Sequence, residues 1–332
     1  MRQVLLTLVT AAILTPAAPA AAQELSEWQV PWEQSRPRDP MVAPDGRVWF
    51  VGQRTHYVAV FDLRTEQFRR YELPNEAGPH NLIVAPDGII WYAGNRAAHI
   101  GRLDPATGTI EQIPMPEGVR DPHTLIFDRD HNIWFTAQQT NYMGFLNTST
   151  RQVRVVEMPT PRARPYGIKI APDGKVWAVL FGSHKLAVID PTTFALTEIA
   201  LPNEGSRPRR IEITSDGRIW YGDYTRGMLG VYNPADRSFN EYPLPGGLQS
   251  LPYGMAVDAQ DRVWVVETGL RPNAFVGFDT RTLTMLEPVT IAAGTIRHMY
   301  YHEPTNSIWF GTDANTLGRA NLANVRPSRA TP

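Results

Sequence analysis

The sequence predicts an all-β fold, a seven-bladed β-propeller of four-stranded blades whose ring is closed by the N-terminal strand in the last blade. Seven tryptophans, Trp49, Trp91, Trp134, Trp177, Trp220, Trp264 and Trp309, recur at intervals of 42 to 45 residues. Hairpin phrases precede them, as in Pro44-Asp45-Gly46, Pro86-Asp87-Gly88 and Pro172-Asp173-Gly174. In each, proline presets φ and Asp-Gly tolerates the left-handed backbone of a tight turn. The last repeat stops near Leu322 without an outer strand, while Glu24 to Pro31 near the N-terminus matches outer strands such as Arg69 to Pro74.

Each unit follows one template. A proline is followed by a polar or aromatic residue, alternating apolar positions, the turn, and an aliphatic-Trp pair. About seven variable residues then lead into an alternating strand such as His99 to Asp104, and a last strand ends in Leu-Pro or Met-Pro. Four short strands per unit of this length cannot bury both faces of their sheet until neighbours cover them, which is the logic of a propeller ring. Each inter-blade tryptophan buries about 150–250 Å², or about 4–6 kcal/mol as an upper bound. Trp-Asp, the signature of another repeat family, does not occur.

The three segments expected are a signal peptide at 1–22, the propeller at 23–323 and a C-terminal tail at 324–332. Arg2, the apolar run Val4 to Leu14 and the small residues Ala20-Ala21-Ala22 have the order of a cleavable secretory leader, so a periplasmic or secreted location is expected. No other apolar run is long enough to span a bilayer. Zero cysteines exclude a lipid-anchored cysteine, thiolate metal sites and a cysteine nucleophile. The 42% hydrophobic content supplies a large core, and the formal charge of −1, or −2 without Arg2, offers no basic field for nucleic acid. A monomer acting on a small molecule is expected.

In a repeat protein, positions where packing would accept the same residue in every copy, yet the residues differ, point to function. The residue at the head of each innermost strand, after a proline in six blades and after Ile296 in the last, is Arg38, His80, His123, Tyr166, Arg209, Tyr253 and Arg297 in blade order. These seven should gather at one mouth of the central channel, where ring-shaped folds place ligands. Imidazoles beside three guanidiniums should titrate low and stay neutral, a form suited to proton abstraction or metal ligation.

At these residues the chain resembles the streptogramin B lyase family, also called virginiamycin B lyases, over the whole mature length. The family phrase Pro-x-Gly-Ile, Pro-Asp-Gly-x-Ile-Trp-Phe, Ile-Gly-Arg-Leu is matched from His80 through Leu103 and from Tyr166 through Trp177. The dipeptides Pro79-His80 and Pro122-His123 and the tripeptide Pro165-Tyr166-Gly167 follow the family's order in consecutive blades. The resemblance implies a seven-bladed ring that opens cyclic depsipeptide antibiotics by metal-assisted elimination at the ester, hence antibiotic resistance. It implies His80 as a Mg²⁺ ligand, Asp121 as a second ligand in place of the family's glutamate, His123 as general base and Tyr166 as a catalytic residue orienting substrate. Gln138 stands where the family carries a second acidic residue, and a single carboxylate makes a weak Mg²⁺ site. Arg38, Arg209, Tyr253 and Arg297, with Gln138, are the expected substrate-binding set, suited to an anionic substrate or to a cyclic depsipeptide. Two rival readings are a non-catalytic periplasmic propeller that binds a ligand or protein, and a lactonase-type hydrolase.

Other polar clusters carry plainer expectations. Asp128 to Asn132 aligns with the Pro-Asp-Gly hairpins and should be a turn. Asp223 and Glu267, three residues after their tryptophans, should form structural ion pairs with Arg209 and Arg297. His302-Glu303, His56 and His184 fall in turns or loops.

Overall fold

Four-stranded antiparallel sheets repeat seven times around a ring in the computed structural model, which describes residues 25–291, 294–323 and 325. The expected leader lies outside these residues, as does most of the expected tail. Blade 1 runs Pro37–Val42, Val48–Gly52, Tyr57–Asp62 and Gln67–Glu72, in hydrogen-bonded order from channel to rim. Blades 2 to 5 repeat that order, with innermost strands Leu82–Val84, Pro122–Phe127, Pro165–Ile170 and Pro208–Ile213. Blade 6, beginning with Pro252–Val257, departs from the template. Its outer edge is split into Thr284–Met285 and Val289–Ile291, both paired with Asn273–Asp279. Among the described residues no helix is long and apolar enough to cross a membrane.

Blade 7 closes the ring as expected. Its three C-terminal strands, Ile296–His302, Ser307–Thr312 and Thr316–Asn321, receive Leu25–Gln29 as the outer strand, with Leu25 opposite Ala320 and Gln29 opposite Thr316. Trp28 stacks on Trp309 at 5.7 Å within that blade and meets Phe61 of blade 1 at 5.1 Å.

The seven repeated tryptophans lie on the second strands and are at most 4% exposed. They pack within and between blades: Trp134 meets Phe145 of its own blade and Phe194 of blade 4, each at 5.1 Å, and Trp220 meets Phe278 of blade 6 at 5.4 Å. The glycine of Ile100-Gly101-Arg102 has a packing cause. Gly101 sits opposite Tyr92, and a Cβ there would overlap the Tyr92 ring. Gly144, Gly230 and Gly318 stand in the same relation to Phe135, Tyr221 and Phe310. The hairpins work as their sequence implies: Gly46 has φ +83°, its N–H donates to Ala43 O, and Asp45 Oδ1 accepts from the N–H of Arg47.

One feature breaks the alternation along the strands. Six innermost strands carry a register shift near their first residue, between Arg38 and Met41, Pro122 and Leu125, Pro165 and Ile168, Pro208 and Ile211, Pro252 and Met255, and Ile296 and Met299. Each inserts one residue relative to the second strand. A β-bulge of this kind bends the strand and re-aims side chains that alternation would send to opposite faces.

Candidate functional site

Six of the seven ring positions are buried or held within one aromatic and cationic cluster at the channel mouth. The His80 and His123 rings lie 3.5 Å apart between centroids, and His123 lies 4.2 Å from Tyr166. His80 Nδ1 faces the backbone carbonyl of His123 at 3.1 Å, and His123 Nδ1 meets the Thr124 hydroxyl at 2.8 Å. The hydroxyls of Tyr166 and Tyr253 are hydrogen-bonded to each other past the intervening blade. The Arg209 guanidinium lies 3.5 Å from the Tyr253 ring centroid and 4.4 Å from that of Tyr224, within reach of Phe181 and Tyr166 as well. Such stacking holds a guanidinium without neutralising it.

Arg38 is buried, gives Nη1 to Gln53 at 3.2 Å and Nε to Asp39 at 3.4 Å, and keeps Nη2 without a partner. Arg297 differs: its guanidinium turns to Asp313, which also receives Arg36 at 3.4 Å, so it belongs to the rim. Gln138 is buried with 8% exposure.

The bulges bring a second layer of polar side chains toward the channel, and the sequence reading missed it. Asp39, Asn81, Thr124, Arg210 and His298 each follow a ring residue directly. Asp39 Oδ2 accepts from Asn81 Nδ2 at 3.0 Å and lies 3.8 Å from Arg210 Nη2, while Asn81 Oδ1 accepts from the Leu125 N–H. Arg38, Asp39 and Arg210 thus link blades 1 and 5 across the channel. The available signal was the polar doublet at the strand head, as in Arg209-Arg210 and Arg297-His298, where strict alternation would place an apolar residue.

These contacts set the electrostatics. Burial, then the guanidiniums of Arg210 and Arg38, push His123 well below the usual imidazole range. His80 is lowered by burial, Arg38 and His123. Burial raises Tyr166, with the Tyr253 hydroxyl acting the same way. Burial would also raise Tyr253, but Arg38, Arg209 and Arg210 outweigh it and bring its phenol below the ordinary tyrosine value. Asp39 is held at about 2, because His298, Arg38 and Arg210 overcome the upward push of burial. The buried guanidiniums of Arg38 and Arg210 and the half-buried one of Arg209, with one carboxylate, leave the mouth positive, the field an anion seeks.

Asp121, the carboxylate of the Mg²⁺ ligand set that the resemblance implies, is committed to a turn. Asp121 accepts hydrogen bonds from the N–H groups of Gln139 and Thr140 and from the Thr140 hydroxyl, so its carboxylate holds the turn after the blade-3 second strand, Ile133–Ala137. Among the described residues no three His, Cys, Asp or Glu side chains are grouped as metal ligands. A hard cation that prefers carboxylate oxygen finds the His80 and His123 imidazoles here, with the carboxylates of Asp39 and Asp121 already engaged, a poor fit to Mg²⁺.

The expected pairing of Asp223 and Glu267 with Arg209 and Arg297 is replaced by local contacts. Asp223 accepts from the Arg207 N–H at 3.0 Å and meets Arg226 at 3.4 Å, and Glu267 accepts from the Gly246 N–H at 2.7 Å. Both anchor loops at the blade tops. Asp128 is the turn residue expected, accepting from the N–H groups of Asp130 and Asn132.

Comparison with solved structures agrees with this architecture. The fold superimposes on virginiamycin B lyase from Staphylococcus aureus with a TM-score of 0.82 and 21% identity, covering 90% of this chain and 99% of that one. A catalytically inactive histidine-to-alanine variant of that lyase with quinupristin gives 0.81 and 22%, with 90% and 99% coverage. Hydrazine synthase from Kuenenia stuttgartiensis gives 0.70 and 16%, with 91% and 97% coverage. At these identities the likeness is one of fold. No curated protein shows significant sequence similarity. The model of the virginiamycin B lyase family matches residues 4–270, most of the chain and with it every ring position but Arg297, so this seven-bladed propeller belongs to the virginiamycin B lyase family.

Proposed function

We propose that the channel mouth is the active site of a carbon–oxygen lyase acting on a small, carbonyl-activated ester that carries negative charge, with His123 as the proton acceptor. The observation that carries this reading is the neutral His123 imidazole packed between His80 and Tyr166 inside a field of three guanidiniums. A base held far below neutrality is uncharged but weak. An anion seated against Arg38 and Arg209 would cancel part of the field and bring the imidazole toward the operating pH, so substrate binding itself would strengthen the base.

In such an elimination, His123 takes the proton from the carbon beside the carbonyl. The C–H electron pair becomes the new C=C bond, and the C–O pair leaves with the ester oxygen. Arg38 and Arg209 are placed to stabilise the enolate-like oxygen or the departing carboxylate, and Tyr166 to hydrogen-bond the carbonyl. Family membership and the inactive histidine variant of the Staphylococcus aureus lyase support a histidine-dependent elimination. Export to the periplasm or medium, read from the leader, would place a monomer where such esters arrive.

The test is incubation with quinupristin and with carboxylate-bearing depsipeptide esters, followed by mass spectrometry. Elimination gives a ring-opened isomer of unchanged mass, whereas a lactonase adds one water. Elimination product lost by a factor of about 10²–10⁴ in His123→Gln supports the proposal. Hydrolysis, or equal turnover in His123→Gln, would overturn it. Burial of His123 to 2% exposure favours the non-catalytic ligand-binding reading, which predicts saturable binding of the same esters without product.

A further inference from the structure

Below the mouth the channel holds a separate cavity of about 160 Å³, and none of the seven ring residues lines it. Arg210 does, and is 4% exposed, with Nε and Nη2 lacking any hydrogen-bond partner. His298 Nδ1 is likewise buried and unpartnered on the same wall. Thr124 and Asn81 add polar atoms, whereas Met41, Leu82 and Met255 make the remaining surface apolar. Lys169 and Glu212 also line it but neutralise each other at 2.9 Å. Half-buried Lys169 and Tyr300 sit toward the opposite end of the innermost strands from the ring residues, so the cavity is approached from the far face of the propeller.

We propose that this cavity is a second binding site, for a short-chain aliphatic carboxylate. The free edge of the Arg210 guanidinium meets the carboxylate, and the methionine and leucine wall takes the alkyl tail. Asp39, 3.8 Å from Arg210 Nη2, already interacts with Arg38 and Asn81, so it leaves the outer donors of Arg210 unmet. A buried guanidinium with open donors is costly unless an anion satisfies it. The volume holds on the order of five waters at roughly 30 Å³ each, which suits a four-carbon acid. An apolar wall of this extent favours such an acid over inorganic phosphate, whose surface is polar throughout.

Calorimetric titration of the mature protein with sodium butyrate tests this, with butyramide and inorganic phosphate as controls of shape and charge. The expected result is one butyrate per chain, with both controls weaker by at least about tenfold. Arg210→Gln and the cavity-filling Leu82→Phe should each weaken butyrate by at least about tenfold, and Arg209→Gln, at the mouth, should leave it unchanged. Equal binding of butyrate and butyramide, or wild-type affinity in Leu82→Phe, overturns the assignment even if Arg210→Gln does not fold. Loss of binding in Arg209→Gln alone places butyrate at the mouth, which overturns this site while leaving the proposed active site standing.

Discussion

Tyr166 of blade 4 and Tyr253 of blade 6 meet hydroxyl to hydroxyl, reaching past the blade that lies between them in the ring. Arg209, from that intervening blade, lies over the Tyr253 ring, so one cation and two phenols form a single unit. The pair should lose its first proton more easily than an isolated phenol, because three guanidiniums favour the anion and the second hydroxyl donates to it. Phenolate absorbance followed with pH should show one tyrosine ionising below the ordinary range of about 10. Tyr253→Phe should remove that step, and its persistence would refute the assignment.

Stability should fall with acid through the buried imidazoles. His80, His123 and His298 titrate below the usual imidazole range in the folded chain, while unfolded histidines take up protons near pH 6.5. Their contribution is therefore complete above about pH 6.5 and is lost as pH drops toward the folded values, with a slope of about 1.4 kcal/mol per pH unit for each histidine. Denaturant midpoints measured between neutral and mildly acidic pH should show a shallower decline in His80→Asn. An unchanged slope would mean that His80 is protonated in the folded state.

Asp121→Asn separates a turn residue from a metal ligand. Since its carboxylate accepts three hydrogen bonds from Gln139 and Thr140, the amide should cost about 1–3 kcal/mol of stability. A calorimetric Mg²⁺ titration should give no His80-dependent binding in the wild type or in this variant. Stoichiometric binding abolished by both His80→Ala and Asp121→Asn would restore the metal centre.

Gly101→Ala should lower stability by about 1–3 kcal/mol, because its methyl group would overlap Tyr92. Combining it with Tyr92→Leu should recover part of the loss, and strictly additive effects in that double-mutant cycle would show that the two residues do not interact.

The architecture was legible because it is periodic. The tryptophan interval, the Asp-Gly turns and the unpaired N-terminal strand are local or repeating signals, and each appears where expected. The mouth was half legible: the head proline marks the ring, and His80, His123, Tyr166, Tyr253, Arg38 and Arg209 do converge. What stayed hidden depends on departures from period two. The bulges near the strand heads of blades 1, 5 and 7 turn Asp39, Arg210 and His298 toward the channel, and no alternation rule reports an inserted residue. Arg297 was misplaced for a different reason, since its partner Asp313 lies in the turn after the next strand and only the folded chain shows that it draws the guanidinium to the rim.

The pairing of Leu25–Gln29 with Thr316–Asn321 also determines how the molecule comes apart. Because the strands are antiparallel and Leu25 faces Ala320, the two chain ends leave the sheet side by side. A pull on both termini would therefore unzip this pair one hydrogen bond at a time rather than shear all of them together. The seam that completes the ring is thus one that opens stepwise under such a pull, and it cannot form during synthesis until Thr316–Asn321 has been made.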